Sequence, residues 1–253
     1  MKVLVTFALE SEFAPWRRRH GFVRLANTDF TAFDSNFADS DVRVVITGVG
    51  SERAQRVART VLDWRPGICI AAGFAGGLIS EYRAGDVLVA ANVRDGETQR
   101  TLASDPRIVN RATDAGARKI GTLYTSAHVI SSVEDKRRLG QIADAVDMES
   151  FLILNEAQDR GIPGVAIRAV SDAADERLPL DFTRVLDNRG RVRIARLARD
   201  IARSPQRIPG LIRLGSASRR GAQRLAKVLE AIIETLDGAL ESHLQSAAAT
   251  VSA

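Results

Sequence analysis

Three short stretches place carboxylates at the ends of apolar runs: ALESE at 8–12, AVDMES at 145–150 and RAVSD at 168–172. A buried carboxylate is costly unless something binds it, so Glu12, Glu149 and Asp172 are the residues most able to do chemistry. Such groups move protons or accept hydrogen bonds from a ligand. Each also has a plain structural use. Glu12 and Glu149 could be acids in the first turn of a helix, favoured by its dipole, and Asp172 could cap the turn after it. The glycines of GFAGG, residues 73–77, offer a turn where backbone approaches a ligand closely.

The elements that must hold these residues are legible as apolar runs. KVLVTFAL (2–9), VRVVITGVG (42–50), GICIAAGFAGGL (67–78), DVLVAANV (86–93), GTLYTSAHVI (121–130) and GVAIRAVSD (164–172) read as strands. A polar hairpin at a sheet edge is expected between the first two. Apolar spacing predicts helices over 51–64, with Ser51 as cap, and over 104–117, 132–142 and 149–160. Strands that are apolar throughout and alternate with helices indicate a largely parallel sheet covered on both faces. In such sheets ligands bind beyond the carboxyl ends of the strands, which is where all three carboxylates fall.

Other chemistries lack their residues. The three histidines, His20, His128 and His243, stand apart, so no metal site is expected. There is no nucleophile elbow and no phosphate-loop lysine. TGVGSERA (47–54) has Gly-x-Gly after a strand but no third glycine. The single cysteine, Cys69, permits no internal disulfide and suits a reducing compartment. The apolar opening is too short to span a membrane, so a cytoplasmic protein is expected.

Charge divides the chain. Residues 184–227 hold thirteen Arg or Lys against two acids, a local excess of +11 that leaves −6 for the remainder of a chain totalling +5. We expect two parts, an α/β domain over 1–183 and a basic helical extension over 184–253 packed on or beside it. Helices are expected at 191–203, 208–214 and 219–240, with breaks at Ser204-Pro205, Pro209-Gly210 and Gly215 and a frayed end at 246–253. Solvated helices packed on the body are one reading of this tail. The other is a peripheral membrane surface, using clustered arginine with Ile208, Leu211, Ile212 and Leu214. No aromatic residue follows Phe182 to stack on bases, so nucleic acid is not expected as a partner.

Taken in order, ALESE, TGVGSERA, AAGFAGGL, AVDMES and RAVSDAAD resemble the motifs of the purine nucleoside phosphorylase and methylthioadenosine/adenosylhomocysteine nucleosidase superfamily, over roughly residues 1 to 175. GFAGGL, TSAHVISSVEDK, VDMES, LPLDF and PQRIPGLIRL resemble, more narrowly, the hopanoid-associated nucleoside phosphorylases, a branch thought to act on a lipid-linked adenosine. The resemblance implies a three-layer α/β fold with a central mixed, mostly parallel sheet, a homodimer, and no metal or organic cofactor, with phosphate as a conceivable co-substrate. It implies cleavage of the bond between ribose and an adenine-type base. Asp172 matches the general acid, oriented by Ser171. Glu149 matches the acceptor for the ribose hydroxyls, with Met148 against the sugar, and Glu12 matches the group that activates water. Phe74, Ala75, Gly76, His128 and Val129 fall where the family lines its base and sugar pocket, although a lone histidine in a strand also suits a structural role.

The resemblance departs at the phosphate site. Phosphorylases of this superfamily carry an arginine where this chain has Ala71 and a hydroxyl residue where it has Phe74. An aromatic ring cannot donate a hydrogen bond to phosphate, which favours water, and Phe74 is expected to form an apolar wall. Arg17, Arg18 and Arg19 are the remaining candidates for charge, against the plainer reading of a surface run. The alternative to an enzyme is a non-catalytic nucleoside- or lipid-associated binding protein with the same fold.

Overall fold

The computed structural model describes residues 1–26, 28–178 and 208–236. The helix expected at 191–203, the break at Ser204-Pro205 and the frayed end lie outside the described residues. Ten strands form one mixed sheet: β1 (Lys2–Phe7), β2 (Val23–Arg24), β3 (Thr31–Phe37), β4 (Ser40–Ile46), β5 (Ile68–Gly77), β6 (Val87–Asp95), β7 (Thr101–Ala103), β8 (Arg118–Thr125), β9 (Ala145–Asp147) and β10 (Gly164–Asp172). Six helices are described: α1 (Glu10–Arg17), α2 (Ser51–Val61), α3 (Pro106–Asp114), α4 (Val133–Leu139), α5 (Ser150–Gln158) and α6 (Ile208–Leu236).

Strand periodicity divides the core into two layers. Val3, Val5, Phe7, Ile70 and Ile167 face α1, α3 and α6, while Leu4, Cys69, Ala71 and Ala166 face α2 and α5. With helices on both faces the central strands β1, β5 and β10 are apolar on both sides, which is why their runs read as continuous. The polar stretch between the first two apolar runs supplies β2 and β3, an antiparallel pair that continues from β4 and forms the sheet edge. At the opposite side the sheet closes on itself. β10 pairs in parallel with β5 and antiparallel with β6, and β6-β8-β9 leads back to the end of β5.

That closure changes the reading of GFAGG. Its glycines form no turn; they are the last residues of β5, between β10 on one side and β9 on the other. Gly73 has φ +146°, and a Cβ there would overlap the Arg168 guanidinium. Glycine therefore lets polar side chains lie against the strand. Gly50, not Ser51, is the N-cap of α2, and β8 ends at Thr125, so His128 lies in the following loop.

The expected breaks at Pro209-Gly210 and Gly215 are absent, and α6 runs unbroken for 29 residues. Pro209 lies in the first turn, where no intrahelical N–H is needed. From Ala217 onward the helix turns apolar residues, among them Leu225, Leu229, Ile232 and Ile233, into the core shared with β1 and β10. Glu230 ties it to the end of α1 through Arg19 (2.5 Å) and His20 (2.8 Å).

Candidate active site

The DMES segment joins β9 to α5, and its two carboxylates have different fates. Asp147 is fully enclosed. One of its oxygens accepts from Thr125 Oγ1 (2.7 Å); the other accepts from the Ser150 backbone N–H (3.0 Å) and pairs with Arg168 at 2.5 Å. Glu149 stands at the N-cap of α5 but does not cap it. Its Oε1 instead accepts from the Gly50 N–H at the start of α2 (2.9 Å), so it spans two helix beginnings. Burial, followed by the charge of Asp147, pushes the Glu149 carboxyl up to about 7 against the pull of Arg168. Only Gly50 is described as a partner, and the rest of its acceptor capacity suits a ligand's hydroxyl groups.

Glu12, in the first turn of α1, is 3% exposed. Its Oε2 accepts from the Leu9 N–H, as a helix-start acid should, and its Oε1 accepts from the Phe74 N–H of β5, both at 2.8 Å. The plain and the chemical readings thus share one side chain. Burial raises its pKa despite those N–H groups and Arg168, which makes the ionised form a stronger base.

Asp172 ends β10, just past a shift in the β5–β10 register. Such an irregularity re-aims the side chains beside it. Its Oδ1 accepts from Ser171 Oγ and its Oδ2 from Lys136 Nζ, each at 2.5 Å. Ser171 Oγ also lies 3.2 Å from the Ala75 carbonyl, the alternative acceptor for its single proton. Asp172 lies opposite Gly76 and Glu12 reaches Phe74, so two residues of β5, about 7 Å, separate the places where the two acids meet that strand.

Around these acids Phe74 and Met148 are half-buried, Ala75 is buried, Val129 is half-buried and His128 is exposed. The loop carrying His128 is shaped by Ser126, whose hydroxyl accepts from the His128 N–H and donates to its carbonyl. No described side-chain contact joins His128 to the acids. Arg17, Arg18 and Arg19 are engaged elsewhere: Arg17 over the Phe33 ring, Arg18 on the Ala14 carbonyl and Arg19 on Glu230.

Two residues central to this geometry carried no sequence signal that was read as functional. Arg168 is 2% exposed inside β10. It donates through Nε and Nη2 to Ser150 Oγ and through Nη1 to the Ala72 carbonyl, in addition to pairing with Asp147. Lys136, on α4, has no exposed surface. The clue to Arg168 was a lone charge in an apolar strand, which demands a buried partner. Lys136 sits in SVEDKRRL, where a charged run reads as a solvated face. Among the described residues no cluster of His, Cys, Asp or Glu could hold a metal.

A family model, the phosphorylase superfamily, matches residues 2–203. The chain is 27% identical over 213 residues to a 5′-methylthioadenosine/S-adenosylhomocysteine nucleosidase of Geobacillus kaustophilus, covering 74% of this chain and 91% of that one. It is 25% identical over 215 residues to the nucleosidase of the same description from Tolumonas auensis, covering 74% and 93%. The crystal structure of the Campylobacter jejuni nucleosidase superposes with a TM-score of 0.73 at 16% identity, covering 93% of this chain and all of that one.

Proposed function

The chain belongs to the phosphorylase superfamily, and from that premise we propose that it is an N-ribosidase releasing adenine from a 5′-substituted adenosine by hydrolysis. The observation that carries this reading is the gathering of three buried carboxylates, Glu12, Glu149 and Asp172, at the closing seam of β5 and β10 and the adjoining helix starts. Glu149 accepts hydrogen bonds from the ribose 2′- and 3′-hydroxyls, with Met148 against the sugar. Asp172, steadied by Ser171, protonates the purine ring nitrogen N7 as the C1′–N9 bond breaks and its electron pair enters the base. Glu12 takes a proton from water, whose oxygen bonds to C1′. The products are adenine and a 5′-substituted ribose.

Water is favoured over phosphate because the nearby cations are already occupied. Arg168 is committed to Asp147, Ser150 and Ala72, and Lys136 to Asp172. Four buried carboxylates, Glu12, Asp147, Glu149 and Asp172, stand against these two cations. A phosphate dianion entering there would lack the arginine fork such anions require.

Half-buried Phe74 and Met148 suit an apolar 5′ group, which makes methylthioadenosine-like and lipid-linked substrates such as an adenosylhopane the candidates. A lipid-linked substrate would give purpose to the groove of about 640 Å³ between α1 and α6, lined by Arg18, Arg19, Arg219, Arg220, Arg224 and Lys227. Ile208 and Ile212 lie exposed near the start of α6. Peripheral contact with an anionic membrane, and the homodimer implied by resemblance, are part of this proposal. No described helix is long and apolar enough to cross a membrane.

The test is chromatography of adenine released from adenosine, methylthioadenosine and a long-chain 5′-alkyl adenosine, each with and without phosphate. Release independent of phosphate, with a free ribose product, is expected. Release only with phosphate would overturn hydrolysis, and no release from any substrate would overturn the enzyme reading. Binding of the protein to anionic vesicles, lost at high salt, tests the groove.

A further inference from the structure

If Asp172 protonates the departing base, it must first hold a proton, yet it sits in an ion pair with Lys136. The lysine side chain is wholly buried, and all three of its protons are assigned: to Asp172 Oδ2 at 2.5 Å, to the Ala173 carbonyl at 2.7 Å and to the Glu176 carbonyl at 2.8 Å. Asp172 is the only carboxylate among its described partners. The Glu176 side chain turns instead to the Ala173 N–H (3.1 Å), and Asp135, next to Lys136 on α4, is held by Ser132 and Arg138. In an ion pair of this form the transferable proton resides on nitrogen.

We propose that Lys136 supplies the proton that Asp172 delivers to the purine, an inference that rests on the role of Asp172 given above. The Lys136 Nζ–H bond breaks as an Asp172 Oδ2–H bond forms. The Asp172 O–H then breaks as N7–H forms, and the C1′–N9 pair passes into the base. Lys136 is left as a neutral amine and regains a proton from solvent once the product leaves. The site accommodates both forms. An ammonium fills three acceptors. A neutral amine keeps two N–H groups for the Ala173 and Glu176 carbonyls, and its lone pair accepts from the newly formed O–H. Until that proton passes to the purine no buried polar group is orphaned, so the first transfer avoids the penalty of an unmade hydrogen bond. The same contacts fasten the segment after β10 to α4, which makes Lys136 a positioning residue that acts through Asp172.

The experiment follows single-turnover adenine release from methylthioadenosine. Lys136→Ala is expected to lose about 10²- to 10⁴-fold in rate, with binding of a non-hydrolysable methylthioadenosine analogue within about threefold of wild type. Added methylamine or ethylamine should restore part of the rate, and more acidic amines should differ from less acidic ones. Lys136→Arg keeps the charge but does not release its proton, and it should stay slow. Full activity in Lys136→Arg would mean that charge alone suffices and would overturn the proposal, even if the alanine variant failed to fold. A wild type that releases no adenine would instead overturn the functional reading and the relay with it.

Discussion

Arg168–Asp147 and Lys136–Asp172 are both buried ion pairs 2.5 Å long, and both lie at the end of the sheet where β5, β9 and β10 meet. They differ in how many other partners the carboxylate has. Asp147 also takes Thr125 Oγ1 and the Ser150 N–H, while Arg168 also holds Ser150 Oγ and the Ala72 carbonyl. Every contact is to protein, so the pair locks β9, α5 and β10 together. Lys136 is as fully engaged as Arg168, holding the Ala173 and Glu176 carbonyls, but Asp172 has beyond its lysine only the hydroxyl of Ser171. The number of partners that fix the carboxylate, more than charge or distance, separates a pair that frames a site from one that can exchange a proton within it.

Opposite failures in two variants would give this contrast its sharpest test. Arg168→Met leaves Asp147 buried without a counter-ion, which should cost roughly 3–5 kcal/mol of stability and show as a large fall in the denaturant midpoint. Asp172→Asn keeps a hydrogen-bonding side chain of the same shape. The Asn oxygen still accepts from Lys136 Nζ, but the buried ammonium loses its counter-charge, so the midpoint should fall by less than in Arg168→Met, while adenine release falls about 10³-fold and nucleoside binding is preserved. If Asp172→Asn unfolded the protein and Arg168→Met merely slowed it, the assignment of frame and reagent would be reversed.

Glu12 falls between the two cases, since two backbone N–H groups fix it but its pKa is raised by burial. Glu12→Gln removes the base and should cost about 10²-fold in turnover, a smaller effect than Asp172→Asn. Loss of fold without prior loss of turnover would move Glu12 to the framing side, as a helix-start residue.

The sheet, both helical layers and the three strand-end acids were readable because each rests on local pattern: apolar runs, helical spacing and carboxylates where a run stops. What escaped depended on closure. GFAGG reads as a turn until β9 and β10 enclose it, since glycines alone cannot tell a turn from a strand that polar groups approach closely. The continuity of α6 was hidden because proline and glycine break an isolated helix, whereas here proline sits in the first turn and the rear half is anchored by Leu225, Leu229 and Ile233. Arg168 left a clue as a single charge inside GVAIRAV. Lys136 left none, because its neighbours Asp135, Arg137 and Arg138 make a charged run in which one buried member looks like the rest.

Glu149 extends the comparison to pH. Its carboxyl is raised from 4.5 to about 7 in the fold. Between those values the folded protein binds a proton that the unfolded chain does not, so stability falls as pH rises across that window. Ligand affinity should run the other way. A neutral Glu149 accepts hydroxyl hydrogen bonds poorly, and binding of a non-hydrolysable analogue should weaken below pH 7, by up to about tenfold per pH unit. Glu149→Gln should flatten both profiles, as read by denaturant melts and titrations from pH 5 to 8. A wild type flat in both would mean that Glu149 is held like Asp147, as part of the frame.

The two serines give the finest test, because each is the hydroxyl attached to one pair. Ser150 Oγ accepts two guanidinium N–H groups deep in the core. Ser150→Ala leaves those donors without that acceptor and should cost about 1–3 kcal/mol of stability. Ser171 serves Asp172 at the half-buried end of β10, and its removal takes one hydrogen bond from a carboxylate that keeps its lysine. Ser171→Ala should therefore change the denaturant midpoint little and lower adenine release about fivefold, the equivalent of one hydrogen bond near 1 kcal/mol. Equal effects of the two substitutions on stability, with none on rate, would show that both pairs are frame. The proton would then have to reach the base by a route that bypasses Asp172.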